Sequence, residues 1–279
     1  GLLSSLGLGG VDLFLRPRVG LLMSGNEVVP PGGPPLPAGV VDAVSPMLAG
    51  LIRRDGGEVA AVAHLPDDRG SQARALAQTP GDILLAVGGT SVGREDHLPT
   101  LVADQGRLLV HGVAIRPGSP MGFGLAPDGG GRQRPVFLLP GNPVAALVGY
   151  DFFAGPLLRR MGGRPAGWPY SSVEAVLTQR VLGSIGQVDY VRVMIEPRRG
   201  ALESRRGALE SRRGAGAVPW LATPLAHGGA GRLSTTTRAD GFVVAGHHSE
   251  GWPQGGRAPV WLYDPLPVAD APWIEEEDR

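Results

Sequence analysis

The sequence predicts an α/β domain, a parallel sheet with helices on both faces, followed by a small all-β domain. Three observations carry this reading. From about Arg18 to Gly163, short apolar runs alternate with apolar residues at helical spacing, the pattern of strands whose crossover helices pack on a parallel sheet. From about Ser171 to Tyr263 helical spacing gives way to short β-type segments, as in a small barrel or sandwich. Between the two, Gly162–Trp168 carries the Gly and Pro of a linker. The expected layout is residues 1–16 ahead of the first domain, 17–164 for the α/β domain, 171–264 for the β domain and 265–279 as an acidic tail.

The elements follow in order. Val19–Met23 is a buried strand ending in Ser24-Gly25. A helix begins between Asp42 and Pro46, where Ser45-Pro46 suits an N-cap and first helical position. Val44, Met47, Leu48 and Leu51 hold its spacing and Gly56-Gly57 ends it. Val59–Ala63 is the next strand, and Asp67 or Asp68 caps a helix running through Leu76. Ile83–Val87 is a buried strand that leads into a Gly-rich loop. Leu98, Leu101, Val102 and Gln105 mark a third helix, stopped by Gly106. Leu108–Val110 and Val136–Leu139 are strands, and a last helix runs from Pro143 to about Met161. The β domain offers Val173–Val181, Val188–Ile195, Trp220–Thr223, Phe242–Ala245 and Pro259–Tyr263. Within it, Ala201–Gly207 and Ala208–Gly214 both read Ala-Leu-Glu-Ser-Arg-Arg-Gly. Two copies are too few for a repeat fold and fit a duplicated hairpin insertion. His247 and His248 are expected on a strand, pointing apart.

Composition narrows the chemistry. The 279 residues suffice for two cores. Net charge is zero, so no whole-molecule field draws the chain to nucleic acid or anionic membrane. All 26 basic residues are Arg, so every cationic task falls to a planar, permanently charged guanidinium. There is no Cys, which excludes disulfides, thiolate metal sites and thiol nucleophiles and is compatible with the cytoplasm. No apolar run has the length of a membrane span.

Parallel sheets bind ligands at the carboxyl ends of their strands, and the unusual loops lie there. Gly88-Gly89-Thr90-Ser91-Val92-Gly93 follows a strand. Its glycines let the backbone turn and approach an anion, and Thr90 and Ser91 add hydroxyls. The loop lacks the Lys of a Walker loop and the spacing of a dinucleotide fingerprint. Asp96 is either a helix first-turn residue or a carboxylate that holds Mg²⁺ beside bound phosphate. Leu139-Pro140-Gly141-Asn142-Pro143 is a capped helix start that also exposes N–H groups. Arg116, held between Ile115 and Pro117-Gly118, suits bidentate contact with phosphate or another oxyanion. Glu27 and Asp67 also follow strand ends, and several carboxylates on one sheet edge call for a compensating cation or substrate.

Taken in order, Gly88–Gly93 with Asp96, then His111–Pro120, then Leu139–Ala146 resemble the MoeA family of molybdopterin molybdenumtransferases. Ser24–Glu27, Pro66–Asp68 and the later Gly231–Gly241 fit the same family, and the resemblance runs from about Arg16 to Tyr263. It implies a three-layer, MogA-like molybdopterin-binding domain followed by a barrel-like β domain. It implies insertion of molybdate into adenylylated molybdopterin with release of AMP, assisted by Mg²⁺ on Asp96. Glu27, Asp67, Asp96 and Arg116 become the implied catalytic residues. Gly88, Gly89, Thr90, Ser91, Gly93, Pro140, Gly141, Asn142, Pro143 and Ser234 become the implied substrate-binding ones. A homodimer that meets a molybdopterin adenylyltransferase and molybdoenzymes, with no nucleic-acid or membrane partner, is implied as well.

The departures from the family pattern are specific. Asn26 stands where the family usually has Asp, and Val44 replaces a common Asn. Ser119 replaces a frequent basic residue, and Arg116 a common Lys. The family has two further N-terminal regions, of which residues 1–16 are expected to be the remnant. Two other readings are a non-catalytic binding or scaffold module, as in the gephyrin branch, and a molybdopterin adenylyltransferase. The latter leaves Ser171–Tyr263 without a role.

Overall fold

The computed structural model describes residues 1–34, 37, 39–91, 96–198, 220–225 and 234–265. Gly93, the tandem repeat at 201–214, residues 231–233 and the acidic run at 275–278 lie outside the described residues. The chain divides into two compact units, Gly1–Trp168 and Pro169–Arg279.

In the first unit a short helix α1 (Leu2–Ser5) precedes β1 (Arg18–Ser24), β2 (Val28–Val29), β3 (Val40–Val41), α2 (Val44–Arg54), β4 (Glu58–Leu65), α3 (Arg69–Gln78) and β5 (Ile83–Val87). Then come α4 (Leu98–Gln105), β6 (Arg107–His111), β7 (Ile115–Arg116), β8 (Gly122–Pro127), β9 (Gln133–Leu139), α5 (Pro143–Gly149) and α6 (Gly155–Met161). The main sheet has the order β4-β1-β5-β9-β8-β6.

Alternation of side chains along β1 builds both faces of that sheet. Leu21 and Met23 join Val44, Leu48 and Ile52 of α2 and Ala146, Tyr150 and Leu158 of the last helical segment. Leu22, between them, faces Leu76 of α3 and Leu98, Leu101 and Val102 of α4. The result is three layers, helix–sheet–helix, with every strand of the centre buried on both sides. The sheet is not wholly parallel as expected. β8, which the apolar pattern did not disclose, runs antiparallel to both β9 and β6. The other strands share one direction.

Two helix boundaries also differ. Ser45 does not cap α2. The N-cap position is Ala43, and the Asp42 carboxylate just before it accepts from the N–H groups of Val44 and Ser45. The last helix is continuous in direction but interrupted by a π-helical turn over Tyr150–Ala154, so it is three pieces rather than one.

The second unit contains β10 (Ser172–Leu177), β11 (Val181–Leu182), β12 (Val188–Pro197), β13 (Trp220–Pro224), a short helix α7 (Ser234–Thr237), β14 (Gly241–Ala245), β15 (Gly251–Trp252) and β16 (Arg257–Leu262). The expected strand Val173–Val181 is two, because β11 leaves β10 to pair with β15. Strands β13-β10-β16-β14-β12 form one sheet that closes when β13 also pairs with β12. Closure removes free edges and encloses Ala175, Val193, Ala222, Val243 and Val260. His247 and His248 occupy a turn rather than a strand, and their rings lie 3.8 Å apart instead of pointing away from each other.

Candidate active site

The carboxyl ends of β4, β1, β5 and β9 stand side by side. Ser24 pairs in register with Leu65, and Met23, Val87 and Leu139 are aligned across β1, β5 and β9. The loops that leave these ends meet one another, bringing Ser24, Asp67, Gly88–Thr90 and Gly141 together; Arg116, on β7, is not on a strand of this sheet, and Ser234 belongs to the second unit.

Asp67 is the best-anchored carboxylate of the group. Ser24 Oγ donates to its Oδ1 at 2.8 Å, and the Asn26 backbone N–H donates to its Oδ2 at 3.0 Å. The Asp67 N–H in return donates to Asn26 Oδ1 at 3.2 Å. A neutral amide at 26 thus accepts this bond without placing a second anion against Asp67, which gives the Asn26 departure a physical reading. Capping of α3 falls to Asp68, which accepts from Gly70 and Ser71 N–H groups. The Ser71 hydroxyl and N–H hold the Asp68 carboxyl below the usual carboxylate range. Asp67 is released from that task.

Glu27 is exposed, and its carboxylate turns back over Gly25. Gly25 has φ +148°, and a Cβ there would meet Glu27 Oε2 at 2.9 Å. Gly88 and Gly89 also have left-handed backbones, at φ +78° and +59°. The Gly88 N–H donates to the Leu139 carbonyl at 3.1 Å, and Thr90 Oγ1 donates to the same oxygen at 3.3 Å. Thr90 is buried, so its hydroxyl ties two loops together while Ser91, the next residue, is exposed.

Gly141 approaches this loop from β9: a Cβ on it would lie 3.6 Å from Gly88 Cα. Pro140 is buried, Gly141 and Asn142 are exposed, and Pro143 opens α5. Asn142 occupies the N-cap position without a side-chain capping bond. Asp96 is half-buried, two residues before α4, and Arg116 is exposed on β7. Ser234 begins α7 in the second unit and is exposed.

Three participants were not singled out from the sequence. Ser24 reads in the sequence as the end of a strand, yet it is the direct donor to Asp67. His111, the last residue of β6, bonds through Nε2 to the Thr90 carbonyl at 2.9 Å. A carbonyl only accepts, so Nε2 carries the proton. Gln72 is fully buried beneath Ser24 and donates to its hydroxyl at 2.9 Å. A polar residue in a polar-looking helix gives no signal that it points inward.

Residues 20–160 match the family described as a probable molybdopterin binding domain. A molybdopterin molybdenumtransferase of Synechococcus elongatus is 38% identical over 163 residues, covering 56% of this chain and 40% of that protein. Molybdopterin molybdenumtransferase 2 of Mycobacterium tuberculosis is 31% identical over 72% of this chain and 50% of its own length. The crystal structure of a molybdopterin biosynthesis MoeA protein from Pyrococcus horikosii superposes with a TM-score of 0.71 at 29% identity. It covers 95% of this chain and 59% of that one. The chain spans about half the length of the curated relatives it matches. The chain belongs to the family of the molybdopterin-binding domain, and its likeness to MoeA-type proteins runs on through the barrel that follows.

Proposed function

We propose that this chain carries the site at which molybdate is inserted into adenylylated molybdopterin with release of AMP, the activity of a molybdopterin molybdenumtransferase. The observation that carries the reading is the meeting of Ser24, Asp67, Gly88–Thr90 and Gly141 at adjacent strand ends, in a chain whose relatives bear that name. The glycine backbone of 88–89 brings the loop close to a phosphate without side chains in the way. Asp67, fixed at both oxygens, and Asp96 orient water or polarise the phosphoanhydride. Arg116 supplies a guanidinium for phosphate or molybdate. Positioning and electrostatics, rather than a covalent intermediate, do the work in this kind of phosphoryl chemistry.

The same reading includes Mg²⁺. Among the described residues no three His, Asp or Glu side chains gather to hold a metal. A carboxylate beside substrate phosphates is nonetheless the arrangement Mg²⁺ uses, since it keeps several waters. Asp96 would hold it, while Asp67 is held by Ser24 and Asn26. When bound, the cation neutralises charge on the phosphates. On the same reading the protein works in the cytoplasm as a homodimer, is supplied by a molybdopterin adenylyltransferase and delivers to molybdoenzymes. Among the described residues no helix is long and apolar enough to cross a membrane.

The test is to incubate the chain with adenylylated molybdopterin, Mg²⁺ and molybdate and to follow AMP. Stoichiometric binding without AMP release would reduce the chain to a molybdopterin-binding module, and absence of both would overturn the proposal.

A further inference from the structure

We infer that Gln72 is a positioning residue for Asp67, acting through Ser24; this rests on the reading above, in which Asp67 works on the phosphoanhydride. Gln72 lies on the inward face of α3, one turn before Leu76, and both are fully buried. An apolar side chain there would simply extend the core on that face of the sheet. The amide instead spends both its N–H bonds on the site. Nε2 donates to Ser24 Oγ at 2.9 Å and to the Pro66 carbonyl at 3.3 Å.

The orientation of the amide follows from chemistry. The Pro66 carbonyl only accepts, so the NH₂ end of Gln72 must face it. A hydroxyl has one proton and two lone pairs. With one lone pair of Ser24 occupied by Gln72, its proton goes to Asp67 Oδ1 at 2.8 Å. Pro66 is the residue immediately before Asp67. One buried amide therefore clamps both the backbone that leads into Asp67 and the hydroxyl that holds its carboxylate.

The other end of the amide argues against a role in stability. Among the described residues no group donates to Gln72 Oε1, and burying an acceptor without a donor opposes folding. Gly89 passes close to the same hydroxyl: a Cβ on Gly89 would lie 3.1 Å from Ser24 Oγ.

The experiment compares the full chain with Gln72→Leu, Asp67→Asn and the double variant. Gln72→Leu is expected to lower kcat for AMP release about tenfold, as small misplacements of reacting groups do. KM for adenylylated molybdopterin should stay within about twofold, and the melting temperature should change little, since the loss of the bonds to Ser24 and Pro66 is offset by removal of the orphaned carbonyl. In the Asp67→Asn background the same substitution should change kcat by less than about twofold, because groups that act as a unit are not additive. An unchanged kcat in Gln72→Leu, or an equal loss in both backgrounds, would overturn the proposal. Should Gln72→Leu not fold, Gln72→Met, unbranched and adaptable, takes its place. If the unsubstituted chain releases no AMP, it is the functional reading that fails. The positioning role is then decided by crystal structures of the chain and of Gln72→Leu. Loss of the Ser24–Asp67 bond in the variant sustains it, and its retention overturns it.

Discussion

Gly88 lies so close to the carbonyl oxygen of Ser24 that a Cβ on Gly88 would stand 2.3 Å from it. The loop after β5 is thereby seated on the end of β1, and the contact tolerates no side chain. Gly88→Ala faces a left-handed backbone, costing about 1–2 kcal/mol, and a backbone oxygen that must move as well. A lowered urea midpoint and weakened binding of adenylylated molybdopterin are expected. Gly141→Ala is the control, because its nearest neighbour would be 3.6 Å away; its midpoint should shift by less than about 0.5 kcal/mol equivalent. Equal effects of the two substitutions would show that the seating is unimportant.

Asp96→Asn removes a charge while keeping the shape of the side chain. AMP release should fall by about 10²-fold or more, the scale of a lost acid–base or charge-positioning group, with the far-ultraviolet spectrum and melting temperature little changed. Unfolding of the variant would place Asp96 in the structure of the α4 entry rather than in the chemistry.

A different carboxylate holds the opposite side of the domain. Asp55 is fully buried and accepts from Arg159 at 2.8 Å, from Tyr150 OH at 3.0 Å and from Arg54 at 3.0 Å. Burial, reinforced by Asp55, pushes the Tyr150 hydroxyl well above its usual range, so it remains a donor. Asp55→Ala strips the carboxylate from an Arg159 that is itself 4% exposed. Breaking such a buried pair costs about 3–5 kcal/mol, read as a fall in the urea midpoint. The AMP release of the fraction still folded should be unchanged.

Asp42 provides a pH signature. Burial alone would raise its carboxyl, but the hydroxyl and N–H of Ser45, His64 and the Val44 N–H outweigh it and hold the group below its ordinary 3.8. A depressed folded value contributes stability that is complete above the unfolded value and is lost as pH falls through the folded one. The chain should therefore lose stability below about pH 4, and Asp42→Asn should lose less over the same interval. Urea midpoints at pH 5 and pH 3 measure this, and parallel slopes for the two proteins would refute it.

What the sequence disclosed was local, and what it hid was set by neighbours. Ile83–Val87 and Leu98–Gln105 match their elements residue for residue, because a continuous apolar run and a helical stripe declare themselves without partners. β8 did not. Its Gly122 and Gly124 are poor strand formers, yet a Cβ on Gly124 would lie 2.5 Å from the Arg107 carbonyl oxygen. Close approach of β6 selects glycine against local preference. The π turn at Tyr150–Ala154 likewise leaves no mark on the apolar spacing. In the site, the glycine and proline loops were legible because they depart from ordinary backbone. Gln72 and His111 were not, since each acts on a residue distant in sequence, Ser24 and Thr90 respectively.

The single oxygen of Leu139 that receives both Gly88 N–H and Thr90 Oγ1 has a bearing on synthesis. A ribosome that has released the chain only to Gln105 has already supplied Ser24, Asp67 and the glycines, but not the acceptor that fixes them. Contacts of such long sequence separation form late and slowly, and domains mature as units as they emerge. The seating of the loop on Leu139 is therefore absent from every shorter nascent chain and is completed only when β9 inserts beside β5. A ligand of these loops meets a finished site or none at all.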